Sequence, residues 1–169
     1  MELCIRKGSI ADTEDFIMLL DSVRQGMEHP EWFYLDPPEY VRQQMENGTM
    51  QLWVAMDKEK LAGALSALIL GEDPNNYGFD LGLSREDRAL AVNMDSAAVY
   101  PQYRGQGIQA KLLEQAEAEL KRSGKGILLC TVHPDNHFSL SNVLKQGYRI
   151  QRKLEKYGSV RYLLRKDIL

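Results

Sequence analysis

Apolar residues recur along the chain with two different periods, and the switches between them mark out a mixed α/β protein. Residues 3–6 (Leu-Cys-Ile-Arg) predict a first strand, and Phe16, Leu19, Leu20 and Val23 then recur at helical spacing behind Asp12, a residue suited to an N-cap. Residues 26–36 follow no period. Pro37 and Pro38 then open a short helix that ends near Asn47 and Gly48. Residues 51–56 and 61–70 are β-rich and flank the charged turn Asp57-Lys58-Glu59-Lys60, which predicts a hairpin. Residues 71–91 form the longest segment of low periodicity, with Ser84 able to cap one helical turn, and their length makes them a candidate lid or substrate loop. Residues 92–99 read as a strand stopped by Pro101. From Ile108, the side chains of Leu112, Leu113, Ala116 and Leu120 trace one helical face that closes at Gly124. A short buried strand at 127–132, a helix at 139–146 closed by Gly147, and a terminal hairpin turning at Gly158 complete the order β-α-α-β-β-β-α-β-α-β-β.

Composition narrows the class. With 169 residues, 44% of them hydrophobic and 27% charged, the chain suits a single domain over residues 1–169 with one full core. Its longest apolar run is about half of what a membrane-spanning helix needs, and the first residues lack the layout of a signal peptide. The expectation is a soluble, cytoplasmic protein with no membrane partner. Cys4 and Cys130 sit in strand-like segments without metal-ligand spacing, so no metal site is expected. The net charge of −3, with no basic run, gives nucleic acid no electrostatic footprint and leans toward a cationic substrate.

The candidate chemistry lies between the fourth strand and the helix after it. A helix begins with backbone N–H groups that no carbonyl satisfies, and its dipole adds about half a positive charge there, so an anion at that end is stabilised. In Tyr103-Arg104-Gly105-Gln106-Gly107-Ile108, the two glycines can reach positive φ and leave the contacted face free of side chains, while Arg104 adds charge. The loop lacks the Gly-Lys-Ser/Thr ending that manages a γ-phosphate. It also has Ala110 where a dinucleotide fingerprint would carry its third glycine, so it suits a diphosphate of another kind.

The run Val99-Tyr100-Pro101-Gln102-Tyr103-Arg104-Gly105-Gln106-Gly107-Ile108, followed by Leu112-Leu113, closely resembles the signature of the GNAT superfamily of N-acetyltransferases. A second element follows at the family's distance: a strand ending at Val132, then Pro134-Asp135-Asn136, Ser139 and the pair Gly147-Tyr148. The motifs cover about residues 92–150, and the order of elements extends the resemblance to the whole chain. It implies a mixed central sheet of about seven strands flanked by helices, with acetyl-CoA as co-substrate. By resemblance, Ala97, Ala98 and Val99 would run along the pantetheine arm. The amides of Arg104, Gly105, Gln106, Gly107, Ile108 and Gln109 would hold the pyrophosphate, and Asn136, with Ser139 beside it, would reach the arm from the next strand. Two departures stand out: Gln109 occupies a position usually Gly or Ala, and Val143 stands where many members carry the tyrosine that protonates the departing thiolate.

An amine attacks a thioester only as the free base, and a lysine-like amine with a pKa of about 10.4 is almost wholly protonated at neutral pH. Asp95, His133, His29 and Glu28 are the candidate bases, acting directly or through water. Asp95 is preferred, because it lies four residues before Val99 and strict alternation sets both on one face of the strand. A backbone N–H near Val99 would stabilise the oxyanion. Acids in the loops at 26–36 and 71–91 (Glu28, Glu31, Asp36, Glu72, Asp73, Asp80, Glu86, Asp87) could draw in a cationic small-molecule or peptide amine. Two other readings stand beside the enzyme: a CoA-binding sensor that has lost the reaction, and a protein that docks a partner through Trp32-Phe33-Tyr34. The sequence leaves the oligomeric state open, a homodimer included.

Overall fold

A computed structural model describes residues 2–169. Seven strands form one sheet: β1 (Leu3–Lys7), β2 (Met50–Asp57), β3 (Lys60–Leu68), β4 (Ala91–Val99), β5 (Ile127–Val132), β6 (Arg149–Lys156) and β7 (Ser159–Asp167). Their spatial order is β1-β2-β3-β4-β5-β7-β6, and all neighbours are antiparallel except β4 and β5. The helices are α1 (Thr13–Gln25), α2 (Pro38–Glu46), α3 (Tyr77–Asp80), α4 (Arg85–Leu90), α5 (Ile108–Arg122) and α6 (His137–Lys145).

Two apolar layers cover the sheet. On one face Leu112, Ala116 and Leu120 of α5 pack over Trp53, Val92 and Leu128, with Leu140 and Val143 of α6 alongside. On the other, Phe16, Leu19 and Val41 of α1 and α2 cover Leu52, Val54 and Ala64, while Tyr77 of α3 covers Leu129 and Leu163.

The sequence-predicted elements are present with small shifts of boundary, and two expectations change. Asp12 takes the N-cap position of α1 but makes no side-chain cap bond there; its carboxylate accepts from the Ser9 amide (2.8 Å) and pairs with Arg6, tying the strand to the turn before the helix. Residues 71–91 are no open lid. Asn76 accepts from the Gly78 amide and donates to the Gly71 and Arg88 carbonyls. Asn93 of β4 accepts from the Tyr77 amide and donates to the Asn75 carbonyl, and Ser84 caps α4. Polar side chains thus replace the apolar periodicity that the segment lacks.

The centre of the sheet is split. β4 and β5 pair only over Ala91–Asn93 and Ile127–Leu129; beyond that, β4 stays with β3 and β5 with β7, and the two diverge. β4 also carries a bulge: Ser66 pairs with Ser96 and Ala67 with Met94, which leaves Asp95 without a partner on β3. The extra residue reverses the alternation. Val92, Met94, Ala97 and Val99 face the α5 layer, Ala98 faces the α1–α2 layer, and Asp95 points to Asp36, just before α2. The expectation that Asp95 and Val99 share a face is therefore incorrect, because strict alternation does not survive a bulge.

Ser66, fully buried, compensates for the disrupted ladder: its Oγ accepts from the Ser96 amide at 3.2 Å. Ser66→Ala leaves that amide without an acceptor in a buried setting and is expected to cost about 1–3 kcal/mol. The check is the denaturant midpoint, which falls while the slope of the transition stays as in the native protein.

Candidate active site

The opening between β4 and β5 is a cleft of about 560 Å³ that passes between the two layers. It is lined by Asp95, Ala97, Ala98, Val99, Arg104, Gly105, Gly107, Ile108, Gln109, Asn136 and Ser139, so the structure brings these sequence-predicted residues together. Gln106, exposed at the tip of the turn, does not line it.

One end of the cleft is built by the start of α5. Pro101 ends β4 and opens a single 3-10 turn, which Tyr103 anchors by donating its hydroxyl to Asp57 at 2.8 Å. Gly105 and Gly107 then take φ of +81° and +72°, left-handed values that a side chain resists. The first amide that finds an acceptor at the head of α5 is that of Lys111, which donates to the Gly107 carbonyl. The amides of Ile108, Gln109 and Ala110 thus emerge free at the positive end of a fifteen-residue helix.

Along β4, the Tyr100 amide donates to the Ala62 carbonyl and that of Ser96 to Ser66, so both turn toward β3. By the period of the ladder, the N–H and C=O groups of Ala97 and Val99 turn the other way, into the cleft. Asn136 caps α6, accepting from the Ser139 amide through Oδ1 at 3.2 Å, which leaves Nδ2 as its donor.

The other end is aromatic and acidic. Trp32, Phe33 and Tyr34 wall the cleft, and Phe33 also packs against the α1–α2 core. Tyr34 stacks on Tyr157 (centroids 3.8 Å apart), and Trp32 lies between His29 (4.1 Å) and His133 (5.7 Å). Tyr77 and Tyr157 share a hydrogen bond between their hydroxyls at 2.5 Å. Asp95 stands at the junction of the two ends. Burial pushes its carboxyl well above the ordinary range, and a hydrogen bond and like charge from Asp36 push it further.

The other candidate bases are accounted for differently. The Nδ1 of His133 accepts from the Asp135 amide at 3.1 Å, so it shapes the turn after β5. His29 pairs with Glu31 and stacks on Trp32, and Glu28 lies exposed outside the lining. Of the loop acids, Glu72 is held by Arg85 and Arg88 and Asp80 by Lys156; Asp36 is the one that reaches Asp95. Sequence reasoning missed Tyr77, Tyr157 and Arg161. Tyr77 sits in the polar-stitched segment, and Tyr157 takes φ +57° in the last hairpin turn. Arg161 had a readable signal: it lies two residues before the buried Leu163, so a charge stands in phase with an apolar face.

The chain matches the acetyltransferase (GNAT) family over residues 20–148, which include β4, the glycine turn, α5 and β5. It belongs to that family. Among solved structures, an N-acetyltransferase from Staphylococcus aureus Mu50 superposes with a TM-score of 0.73 at 14% identity, covering 100% of both chains. A ribosomal-protein-alanine N-acetyltransferase from Brucella melitensis gives 0.72 at 20% identity, covering 97% of this chain and 99% of its own. The PaiA N-acetyltransferase from Thermoplasma acidophilum, in complex with coenzyme A, gives 0.63 at 20%, covering 99% of each. No curated protein matches by sequence. At these identities the structural likeness shows this GNAT chain's fold and leaves its acceptor to the chemistry of the cleft.

Cys130 lines the cleft, but burial pushes its thiol up to about 12, so it holds almost no thiolate at neutral pH. Cys4 is exposed. Treatment of the folded protein with iodoacetamide at pH 8, read by peptide mass spectrometry, is expected to alkylate Cys4 and leave Cys130 unmodified until denaturant is added.

Proposed function

We propose that this GNAT protein transfers the acetyl group of acetyl-CoA to a primary amine by direct attack, with no acyl-enzyme. The observation that carries this reading is the split between β4 and β5, with a free helix start at one end and a raised-pKa carboxyl at the other. Acetyl-CoA lies along the open edge of β4. Its diphosphate meets the amides from Arg104 to Gln109, Gln109 contributing main chain only, and its arm lies against Ala97, Ala98 and Val99, with Asn136 and Ser139 opposite. CoA in the Thermoplasma acidophilum protein and the acetyltransferase family match support this co-substrate.

The acceptor enters from the aromatic end. The bulge at Asp95 suits this arrangement, because it turns one residue of β4 toward the acceptor while Ala97 and Val99 keep their amides toward the thioester. The Asp95 carboxylate takes a proton from the ammonium, and the freed amine nitrogen attacks the thioester carbon. The new C–N bond forms as the carbonyl electrons move to oxygen, which the Val99 N–H stabilises. The oxyanion then collapses, the C–S bond breaks, and the second proton of the attacking nitrogen passes through water to the departing sulfur, leaving a neutral amide and a thiol. With Val143 unable to serve as an acid, the hydroxyl pair Tyr77–Tyr157 offers a route for that proton. The buried thiol of Cys130 favours direct transfer over an acyl-cysteine.

Free thiol followed with acetyl-CoA and a panel of amines tests the reading. Stabilisation by CoA and acetyl-CoA without thiol release under any amine would identify a sensor instead. Asp95→Asn is expected to lower kcat at pH 7 by about 10²–10⁴-fold while leaving CoA affinity unchanged. Asp36→Asn removes one cause of the raised Asp95 carboxyl, so the acidic limb of the kcat/KM profile moves to lower pH. A limb that stays in place, or moves up, removes the pair from the mechanism. For the cofactor end, Gly107→Val forces a branched side chain into φ +72°; calorimetry is expected to record about tenfold weaker CoA binding.

A further inference from the structure

Arg161 of β7 lines the aromatic end of the cleft with only 3% of its surface exposed. Long cationic side chains ordinarily keep their heads in water, and a buried guanidinium ordinarily meets a carboxylate. Arg161 does neither. Its hydrogen bonds run to the Trp32 carbonyl (3.2 Å) and, weakly, to that of Glu31 (3.5 Å), and its Nε, buried, has no partner among the described residues. The guanidinium lies 5.6 Å from the centre of the Tyr157 ring, whose hydroxyl meets that of Tyr77. A cation retained in this position, with its Nε–H unspent, offers an anion a ready partner.

The charge of the acceptor end supports the same conclusion. Asp95 stands against Asp36 at this end, and burial together with the like charge of Asp36 favours a proton on Asp95. Arg161 carries one positive charge. Lys156, the other cation beside these tyrosines, is already neutralised by Asp80. The pocket therefore presents carboxyl groups and a guanidinium around the same pair of tyrosines, Tyr77 and Tyr157, with aromatic walls from Trp32, Phe33 and Tyr34. A simple amine would use only half of it.

We infer that the acceptor is a small zwitterionic amino acid, its amine held at Asp95 and Asp36 and its carboxylate by Arg161. This rests on the acetyl-transfer reading and adds the substrate class. A peptide N-terminus has an amide where the carboxylate would be; its carbonyl can accept from Arg161 but leaves the buried positive charge without a counter-charge. The rejection is of the strong kind that an unpaired buried polar group imposes.

The test compares three matched series with acetyl-CoA: the common L-α-amino acids, their α-carboxamides and the corresponding decarboxylated amines, such as phenylalanine, phenylalaninamide and phenethylamine. The native enzyme is expected to favour its best acid over the matched amide by on the order of a hundredfold in kcat/KM. In Arg161→Met that ratio falls toward one, chiefly through KM of the acid, and Arg161→Lys keeps part of it. A residue that only braced the Trp32 loop would lower both series alike, and that outcome overturns the inference. If Arg161→Met does not fold, the native acid-to-amide ratio and the lysine variant decide. Thiol release with amides or plain amines at least equal to that with acids overturns the inference and keeps the transferase. Release with none of the three overturns both.

Discussion

The separation of β4 from β5 beyond Asn93 and Leu129 is the constraint on which the rest of the molecule depends. Inside a sheet, unpaired N–H and C=O groups are costly unless something satisfies them, and here they open in the middle of the sheet, away from its edges. The split persists because each diverging strand keeps its other neighbour: β3 holds β4 to Val99, and β7 holds β5 to Val132. The opening thus joins two environments that the sheet would otherwise separate, the helix start above and the aromatic pocket below. A thioester laid along β4 can meet an amine from the far side without either reactant crossing a wall of side chains.

The bulge decides which face of the sheet Asp95 takes. An unbroken β4 would have set Asp95 beside Val99, on the side of α5. One extra residue moves it to the face where Asp36, Tyr34 and Tyr157 gather. Ser66 serves the backbone and not the chemistry: it supplies the acceptor that the displaced ladder no longer offers to Ser96. The placement of Asp95 is in this respect a property of strand register, set where β4 meets Ser66 and Ala67 of the neighbouring strand.

What the sequence disclosed followed the range of the forces involved. Strands, helices and the glycine turn were legible because they depend on local period and φ: Gly105, Gly107, Pro101 and the Leu112–Leu113 face speak for themselves. The cofactor end was legible for the same reason, being one continuous run. The acceptor end was not, since Asp36, Tyr77, Asp95, Tyr157 and Arg161 come from five separate segments. Nothing in residues 91–99 announces a bulge either, because it arises from how Ser66 and Ala67 meet the strand. Arg161 is the instructive middle case: alternation with Leu163 marks it as inward, but only the loop that closes over it makes the charge stand alone.

The acceptor end is also where the fold is least well served by its own residues. For Asp95 the sign follows from its raised carboxyl: protonation is favoured in the folded state. Its stabilising contribution is therefore whole below the unfolded value of about 3.9 and is lost as pH rises through the folded one. At neutral pH the carboxyl thus weakens the empty protein. Burial likewise holds the Arg161 guanidinium below its usual range, which is the mark of an uncompensated cation. Both costs fall on the wall of a single cleft, while apolar clusters on the two faces of the sheet bear the load. A buried carboxyl and a buried guanidinium that form no ion pair among the described residues are both relieved by a single small molecule that carries an ammonium and a carboxylate.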